Sequence, residues 1–572
     1  MIPVAAVVLV TAATILIGAY GVRVARTTSD FFVASRAVPP LWNASAISGE
    51  YLSAASFLGV AGLVLKYGVD MLWYPVGYAA GYLVLLLFVA APLRRFGAYT
   101  IPDFAEGRLD SLAVRRVATA FVLLIGWFYL LPQMKGAGVT LSVLLGAPYW
   151  VGVIVVGTVV TANVALGGMR GITFVQAFQY WVKLTAICVP AVVLLLHYHA
   201  DGRPDLATPD APVFERATTV DLTVAATFRV DEPVAVTARG SVDGRAVDGR
   251  LMLDAGEHRA GKGTAVRFPA GAAVPHHVDV PRSVGTSWAQ PFGPVEDQRD
   301  HPLFATYSLI LATFLGTMGL PHILVRFYTN PDGRAARETT VIVLLLMGAF
   351  YVFPAVYGAL GRLYTPDLYL TGETDAVVLV LPGRVLGGLA GELVSGLVAA
   401  GAFAAFMSTA SGLLVSVAGS LSHDVFRGTV ADFRAGAVGA GAVAVVLGLG
   451  VSRFDISLLV GWAFAIAASS FCPLLVLGIW WRRLTAPGAL AGVVLGGGSA
   501  SAAILLTMGG YGGHGWAATL LSQPAAWSVP LAFLTMVAVS RLTAGRVPGD
   551  LGTKLLTLHT PERLGLGRAW RP

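Results

Sequence analysis

The stretch Asn43-Ala-Ser-Ala-Ile-Ser-Gly-Glu-Tyr-Leu-Ser-Ala-Ala-Ser56 places small and polar residues in the middle of an apolar run that covers residues 41–66. A helix needs about 20 mostly apolar residues to cross a bilayer, and this run is long enough. Within hydrocarbon a broken helix is tolerated only where its freed backbone groups line a polar cavity. The stretch therefore predicts a membrane span that is interrupted at mid-depth, beside a site.

A second interrupted span is predicted in the run 303–326, which contains Phe314-Leu-Gly-Thr-Met-Gly-Leu-Pro-His322. Pro321 cannot donate to the helix ladder, and Gly316 and Gly319 loosen the turns before it. The two runs are the second and the seventh of the chain, five helices apart. This spacing suggests an inverted repeat of five plus five helices with a site between the repeats. Helix packing through small residues is the alternative explanation of both stretches.

The composition agrees with a membrane protein. Of 572 residues, 56% are hydrophobic and 12% are charged, about half of the roughly 25% charged residues of soluble proteins. Disordered chains are excluded because they have low hydrophobicity. The predicted fold class is an all-α polytopic membrane protein with about thirteen transmembrane helices. The apolar runs cover residues 3–23, 41–66, 70–91, 116–145, 148–166, 172–198, 303–326, 339–363, 388–418, 433–452, 456–480, 486–508 and 525–541.

Basic residues concentrate in alternate loops, which places them on one side, predicted to be cytoplasmic. They include Arg23, Arg26, Arg36, Arg94, Arg95, Arg108, Arg115, Arg116, Arg170, Arg326, Arg334, Arg337, Arg427, Arg434, Arg482 and Arg483. The net charge of +7 is therefore assigned to these loops rather than to nucleic-acid binding. We expect a multi-pass protein of the plasma (inner) membrane with its N-terminus outside and its C-terminus inside. The predicted parts are helices 1–6 in 1–200, an extracellular insert in 201–302, helices 7–13 in 303–541 and a cytoplasmic tail in 542–572.

The insert has a different composition from the rest of the chain. Residues 201–302 hold 15 acidic and 11 basic residues, so their net charge is −4 and that of the remainder is +11. Alternating stretches at 219–230 and 234–239, with turn signals at Asp243-Gly244 and Asp248-Gly249, predict a small antiparallel β unit. Its histidines His258, His276 and His277 are interpreted as solvated loop residues rather than metal ligands, since no further ligand spacing supports a site.

Charged residues inside spans are costly and are candidates for function. Glu50 lies in the second span, Lys135 in the fourth and Lys183 in the sixth. For Lys183 a structural pairing is favoured, whereas for Glu50 and Lys135 function and structure stay equally open. In the ninth span, the adjacent hydroxyls of Ser408 and Thr409 together with carbonyls freed by a broken helix suggest an all-oxygen shell for a monovalent cation.

The stretch Trp42–Gly59 resembles the second helix of the sodium:solute symporter family, closest to its cation/acetate (monocarboxylate) branch, where an Asp commonly stands at the position of Glu50. Further matches follow in order between about Asp30 and Gly497. They are Gln133-Met-Lys-Gly-Ala-Gly138, Gly168-Met-Arg-Gly-Ile-Thr-Phe-Val-Gln176, Gly316-Thr-Met-Gly-Leu-Pro-His322, Ser420-Leu-Ser-His-Asp424 and Ile479-Trp-Trp-Arg-Arg-Leu-Thr485. The resemblance implies an inverted-repeat core in spans two to eleven and coupled uptake of small carboxylates.

The resemblance also implies the site residues. The Na⁺ site falls on Gly49, Leu52, Ala405, Ser408 and Thr409, and the substrate cavity falls beside Ser53, Gln133, Thr317, Met318 and Gly319. Sugar symporters of the family carry an Asp near Gln176, and its absence here predicts one Na⁺ per carboxylate and little current. Lys135 adds positive potential to the cavity or pairs with Glu50.

The predicted function is secondary active uptake of acetate, propionate or pyruvate, coupled to Na⁺ by alternating access. The carboxylate is expected to meet free N–H groups near Thr317–Gly319, with Gln133 as a further donor. Uptake coupled to H⁺ through Glu50 is the alternative, and a sensor or a channel is less favoured. No bond is made or broken, so the sequence predicts no enzyme, no catalytic residue and no cofactor besides the coupling ion. The partners are the carboxylate, Na⁺ and the lipid bilayer.

Overall fold

The computed structural model describes residues 2–24, 38–206, 212–222, 225–278, 280, 288–289, 301–511, 513, 515–561 and 564. Within them, twelve helices are long and apolar enough to span a membrane, and a bent helix pair makes a thirteenth. The predicted all-α polytopic fold is confirmed. Arg26, Arg36 and most of the last eleven residues of the predicted tail lie outside the described residues.

The spans are numbered in chain order, with a and b for the two parts of a broken span. They are α1 (Ile2–Val24), α2a (Pro40–Tyr51), α2b (Val60–Tyr67), α3 (Trp73–Phe88), α4 (Leu112–Leu145), α5 (Tyr149–Met169), α6 (Gly171–Ala200), α7a (Pro302–Thr317), α7b (Pro321–Phe327), α8 (Gly333–Tyr364), α9 (Gly388–Ser420), α10 (Val430–Leu449), α11 (Ile456–Trp480), α12 (Ala486–Met508) and α13 (Ala525–Leu542). Shorter helices cover Ala90–Phe96, Ile101–Leu109, Asp367–Thr371, Val377–Val385, Trp516–Ser522 and Leu551–His559.

Both predicted interruptions are present. The two parts of the second span are bent by 67°, and a π-helical turn over Ala55–Gly59 leads into α2b. In the seventh span the backbone is extended at Leu320 before the helix restarts at Pro321. The fifth and sixth spans join through Gly168, whose φ of 57° is a conformation that glycine adopts readily.

The broken second span lies inside the bundle. α2a packs against α6, α8 and α9, and α9 in turn packs against α1, α4 and α6. Every residue from Asn43 to Tyr51 is buried. The interrupted backbone of α2 is therefore surrounded by side chains of other spans rather than exposed to lipid.

The insert forms a seven-stranded antiparallel sheet, as its alternation predicted. Its strands are β1 (Thr218–Leu222), β2 (Ala226–Val230), β3 (Val234–Val242), β4 (Arg245–Leu253), β5 (Gly256–Ala260), β6 (Thr264–Phe268) and β7 (His276–His277). Their order is β1-β6-β3-β5-β2-β7, with β4 paired to β3. Asp243 and Gly244 have positive φ and close the β3–β4 hairpin. The turn predicted at Asp248-Gly249 is wrong, because both residues continue β4 opposite β3.

The β unit rests on the end of the second span. Trp288 Nε1 donates to Leu65 O at 3.3 Å, and the His277 ring approaches Gly372. The assignment of three histidines to loops is wrong, because His258 lies in β5 and His276 and His277 form β7. His258 hydrogen-bonds Asp243 Oδ2 at 2.7 Å and Asp254 O at 2.8 Å. Among the described residues no group of three His, Cys, Asp or Glu side chains is placed to hold a metal ion.

Candidate functional site

Freed carbonyls at the end of α2a meet hydroxyls of α9. Ser408 Oγ donates to Gly49 O at 2.6 Å, and Thr409 Oγ1 donates to Glu50 O at 2.5 Å. Ser408 Oγ also lies 3.1 Å from Ala405 O. The structure thus brings the residues predicted to bind Na⁺ together in one buried cluster between α2 and α9, which we call the oxygen cage: Gly49, Leu52, Ala405, Ser408 and Thr409.

The amino group of Lys183, from α6, lies inside the oxygen cage. Its Nζ is 2.5 Å from Gly49 O, 2.7 Å from Leu52 O and 2.8 Å from Ser408 Oγ. The side chain is fully buried. A Na⁺ needs the same oxygens, so the cage does not fit Na⁺ while Lys183 is in this position. The structural pairing expected for Lys183 is therefore made with oxygens of the predicted cation site.

The sequence contained a signal for this placement. Gln176, Tyr180 and Lys183 are spaced i, i+4 and i+7, and so share one face of α6. Gln176 Nε2 donates to Ser408 O at 2.7 Å, and a Cβ at Gly49 would lie 2.3 Å from Gln176 O and 3.4 Å from Tyr180 Cβ. This face of α6 packs directly on the break of α2, with Gly49 allowing the close approach.

Glu50 pairs with Arg326 of α7b. Arg326 Nε donates to Glu50 Oε2 at 2.7 Å, with both side chains fully buried. The other guanidinium nitrogens donate to Thr173 Oγ1 at 2.8 Å and to Gln176 Oε1. Arg326, predicted to lie in a loop, lies instead in α7b, so that prediction is wrong. The helix restarts at Pro321 and carries Arg326 back into the bundle, where the Glu50 carboxylate compensates its charge.

Lys135 has a different partner from the one considered for it. Its Nζ donates to Asp375 Oδ2 at 3.2 Å and to Phe454 O. The alternative pairing with Glu50 is wrong, because Lys135 lies toward the β-unit end of α4. Asp375 Oδ2 also accepts from the N–H of Ile456 at 3.1 Å. Together with the Lys66–Asp455 ion pair at 3.1 Å, this contact joins α2b, α4, the turn Thr374–Ala376 and the start of α11 on the side that carries the β unit.

Ser53 and Gln133, assigned to the substrate cavity, both lie at the break of α2. Gln133 Oε1 accepts from the N–H of Ala54 at 3.0 Å, and its Nε2 donates to Tyr129 O at 3.3 Å. Ser53 Oγ accepts from the N–H of Ala55 at 3.2 Å. Gln133 therefore caps a backbone donor that the bent helix leaves free, and it keeps one further amide hydrogen for a ligand.

The break of α7 lies against the same region. Thr317 Oγ1 is 3.0 Å from Tyr51 Oη of α2a, and Met318 is buried. Gly319 N–H donates to Gly316 O at 2.8 Å, so it is not the free donor expected there. A Cβ at Gly319 would lie 2.5 Å from Ala467 O. The segment Thr317–Gly319 is thus a tightly packed turn against α11.

Aromatic side chains that are not among the predicted site residues surround these breaks. Tyr51 contacts Tyr82 and Tyr78, with ring centroids 4.8 and 5.6 Å apart, and Tyr129 contacts His322 at 5.0 Å. Among the described residues, Tyr78 Oη, Tyr82 Oη and both ring nitrogens of His322 are buried without a hydrogen-bond partner. Such atoms need an explanation, and a polar ligand supplies one. The signal was Tyr74, Tyr78 and Tyr82, spaced four apart on one face of α3.

A pocket opens beside α7b, at the ends of α7 and α9 that lie away from the β unit. Its lining includes Tyr99, Thr100, Pro321, Ser416 and Ser420. On the β-unit side the breaks are covered by the Lys135–Asp375 contact. The pocket is separate from the oxygen cage, because none of the cage residues lines it.

Comparison with known proteins gives concordant results. A family model described as "Sodium:solute symporter family" matches residues 31–208 and 294–496. A monocarboxylic acid transporter of Corynebacterium glutamicum is 30% identical over 547 residues, covering 90% of this chain and 86% of its own length. An uncharacterized symporter of Cupriavidus necator is 30% identical over 609 residues, covering 91% and 88%. A Na⁺-coupled sialic acid symporter has a similar fold, with a TM-score of 0.64 at 14% identity, covering 95% of this chain and 98% of that one.

Proposed function

Because the chain belongs to the sodium:solute symporter family, we propose that it is a secondary active symporter that takes up small monocarboxylates. Acetate, propionate and pyruvate are the substrates proposed. The similarity to the Corynebacterium glutamicum monocarboxylic acid transporter over most of both chains supports this substrate class. The pattern of the two breaks, five spans apart, supports two inverted halves with the substrate between them.

The observation that carries the proposal is a buried lysine beside the breaks that has no carboxylate partner among the described residues. Glu50 and Arg326 neutralise each other, whereas Lys183 forms no ion pair with a carboxylate among the described residues and adds one positive charge. Among the residues that the structure describes, the buried hydroxyls of Tyr78 and Tyr82 and the ring nitrogens of His322 also have no hydrogen-bond partner at these breaks. A bound carboxylate would balance this charge, and its two oxygens would accept hydrogen bonds from these donors.

Transport then proceeds by alternating access. The carboxylate enters from the β-unit side when the contact between Lys135 and Asp375 opens, and it leaves through the pocket beside α7b. We propose that the β unit is extracellular and the C-terminus is cytoplasmic, which agrees with the placement of the basic loops. Labelling of a single cysteine introduced on the β unit in intact cells would test this orientation.

Na⁺ is the coupling ion that the family favours, and H⁺ carried by Glu50 is the alternative. The ion pair with Arg326 gives Glu50 a structural role and weakens that alternative. Uptake of one cation with each monocarboxylate moves no net charge, so we expect little current. The membrane potential then adds nothing to the driving force, whereas each net charge moved through 100 mV would add about 2.3 kcal/mol.

Reconstituted protein tests the substrate class. Uptake of labelled acetate into proteoliposomes should be reduced by unlabelled propionate and pyruvate and unaffected by neutral compounds of similar size such as acetamide. Membrane current should stay near that of empty liposomes. Absence of competition by any monocarboxylate would contradict the proposed substrate, and a large inward current would contradict electroneutral coupling.

A further inference from the structure

Lys183 occupies the position at which a coupling Na⁺ was expected. We propose that its ammonium group is a resident cation that replaces Na⁺ in the oxygen cage, so that carboxylate transport by this protein does not require Na⁺. The inference rests on the proposed uptake of monocarboxylates. It replaces Na⁺, the coupling ion favoured above, by a fixed cation between α2 and α9, and it leaves H⁺ as the co-transported cation that keeps uptake electroneutral.

The geometry matches an ammonium group. Lysine has three N–H donors and no acceptor, and three oxygens surround Nζ: Gly49 O at 2.5 Å, Leu52 O at 2.7 Å and Ser408 Oγ at 2.8 Å. Each N–H donor of Lys183 therefore has one oxygen acceptor. Because Nζ lies within contact distance of all three oxygens, a second cation has no position from which it also contacts them.

The cage also shows why a cation belongs there. Gly49 and Leu52 lie at the end of α2a, where the helix is interrupted and its carbonyls need partners from other spans. Ser408 and Thr409 supply hydroxyl donors from α9, and Lys183 supplies the positive charge from α6. These contacts fix the bent backbone of α2 between α6 and α9, as a bound Na⁺ would.

The charge balance supports the same conclusion. The Glu50–Arg326 pair is neutral, so Lys183 leaves one uncompensated positive charge near the two breaks. One bound monocarboxylate cancels it. An additional Na⁺ in the cage would restore an uncompensated positive charge in a low-dielectric interior, where such charges are unfavourable.

Counterflow in Na⁺-free medium tests the wild-type protein. Proteoliposomes are loaded with unlabelled acetate, labelled acetate is added outside, and Na⁺ is replaced by choline on both sides. This exchange needs no ion gradient, so it does not depend on knowing what drives net uptake. We expect the initial rate in choline to equal that in Na⁺ within about twofold, since the cation of the cage belongs to the protein.

The outcomes separate the two proposals. Counterflow that is present in Na⁺ and absent in choline overturns the role of Lys183 and leaves monocarboxylate transport intact. Absence of counterflow for acetate, propionate and pyruvate in both salts contradicts the proposed function instead.

Variants at position 183 distinguish a resident cation from a lysine that only joins helices. Lys183→Ala empties the cage, and we expect it to bind Na⁺: Na⁺ should raise the melting temperature of the purified variant over choline, by mass action, and should restore counterflow. Lys183→Met fills the cage without charge and should show neither response. The melting temperature of the wild-type protein should be the same in Na⁺ and in choline.

A second substitution shows where the Na⁺ of the variant binds. Adding Ser408→Ala to Lys183→Ala removes one oxygen ligand and should raise the Kd for Na⁺ about tenfold. If Na⁺ stabilises the wild-type protein as much as Lys183→Ala, the cage is not closed to Na⁺ and the proposal is wrong.

Discussion

Arg326 Nε donates to Glu50 Oε2 at 2.7 Å between two fully buried side chains, and this pair joins the broken second span to the broken seventh. The contact lies next to the oxygen cage, since Glu50 O accepts from Thr409 and Gln176 contacts both Arg326 and Ser408. The two breaks are therefore linked by charge, and changes at either one should be felt at the other.

Removing the carboxylate of Glu50 should destabilise the protein strongly. Glu50→Gln leaves the buried Arg326 charge uncompensated, which costs about 3–5 kcal/mol in comparable buried pairs. We expect a lower melting temperature and loss of acetate uptake, measured on purified and reconstituted protein. Glu50→Asp keeps the charge and should retain part of the activity. A stable Glu50→Gln variant whose uptake no longer responds to pH would instead favour proton coupling through Glu50.

Gly412 in α9 makes room for Glu50, because a Cβ there would lie 1.9 Å from Glu50 Oε1. Gly412→Ala should displace the carboxylate from Arg326 and cost about 1–3 kcal/mol, as overpacking does. Gly439→Ala in α10 is the matched control, because its Cβ would meet nothing within 4 Å. Melting temperature and uptake should fall for Gly412→Ala alone. Equal behaviour of the two variants would show that Glu50 is not held at this position.

The contact between Lys135 and Asp375 should control opening on the β-unit side. Both side chains are largely buried, so Lys135→Met leaves Asp375 without its ion pair and weakens the closed arrangement. We expect faster labelling of Ser457→Cys, next to Ile456, by a membrane-impermeant thiol reagent. The double variant Lys135→Met with Asp375→Leu removes both charges and should show a smaller increase. An unchanged labelling rate in Lys135→Met would contradict a closing role.

The β unit should respond to pH through His258. Burial opposes the charged imidazole, but hydrogen bonds to Asp243 and Asp254 hold the pKa of His258 above its usual value of 6.5. A raised folded-state pKa gives stability that is complete below about pH 6.5 and is lost as the pH rises through the raised pKa. His258→Gln should therefore lower hydrogen-exchange protection of β3 and β5 more at acidic than at alkaline pH, after correction for intrinsic exchange rates. A pH-independent difference would contradict the charged pairing, and Lys262→Gln is the control.

Deletion of residues 205–298 should leave acetate uptake measurable, because the side chains around the breaks all come from the spans. The rate should be lower than that of the full chain, since the deletion removes Trp288 from Leu65 O. Trp288→Phe keeps an aromatic ring but loses the Nε1 donor and part of the indole, so its uptake rate should lie between those of the deletion variant and the full chain. If the deletion variant reaches the membrane without any uptake, the β unit belongs to the transport path.

The sequence by itself determined the thirteen spans, the two breaks and the β unit. Long apolar runs dictate spans because hydrocarbon leaves backbone groups no other partner, and Pro321, which has no N–H to donate, suits the first turn of the helix that restarts after Gly316 and Gly319. The hairpin at Asp243-Gly244 also follows from the local sequence. Asp248-Gly249 has the sequence of a turn but lies in β4, because the two residues pair with β3.

Only the tertiary structure decided which charges meet. Lys183 lies 134 residues from Gly49 along the chain, and Arg326 lies 276 from Glu50, so no local pattern states that either pair is in contact. The same hydroxyls, Ser408 and Thr409, suit a Na⁺ or an ammonium group equally well by residue type. The packing of α6 on the break of α2 places a lysine among them, because a buried cation requires oxygens that only several spans together supply.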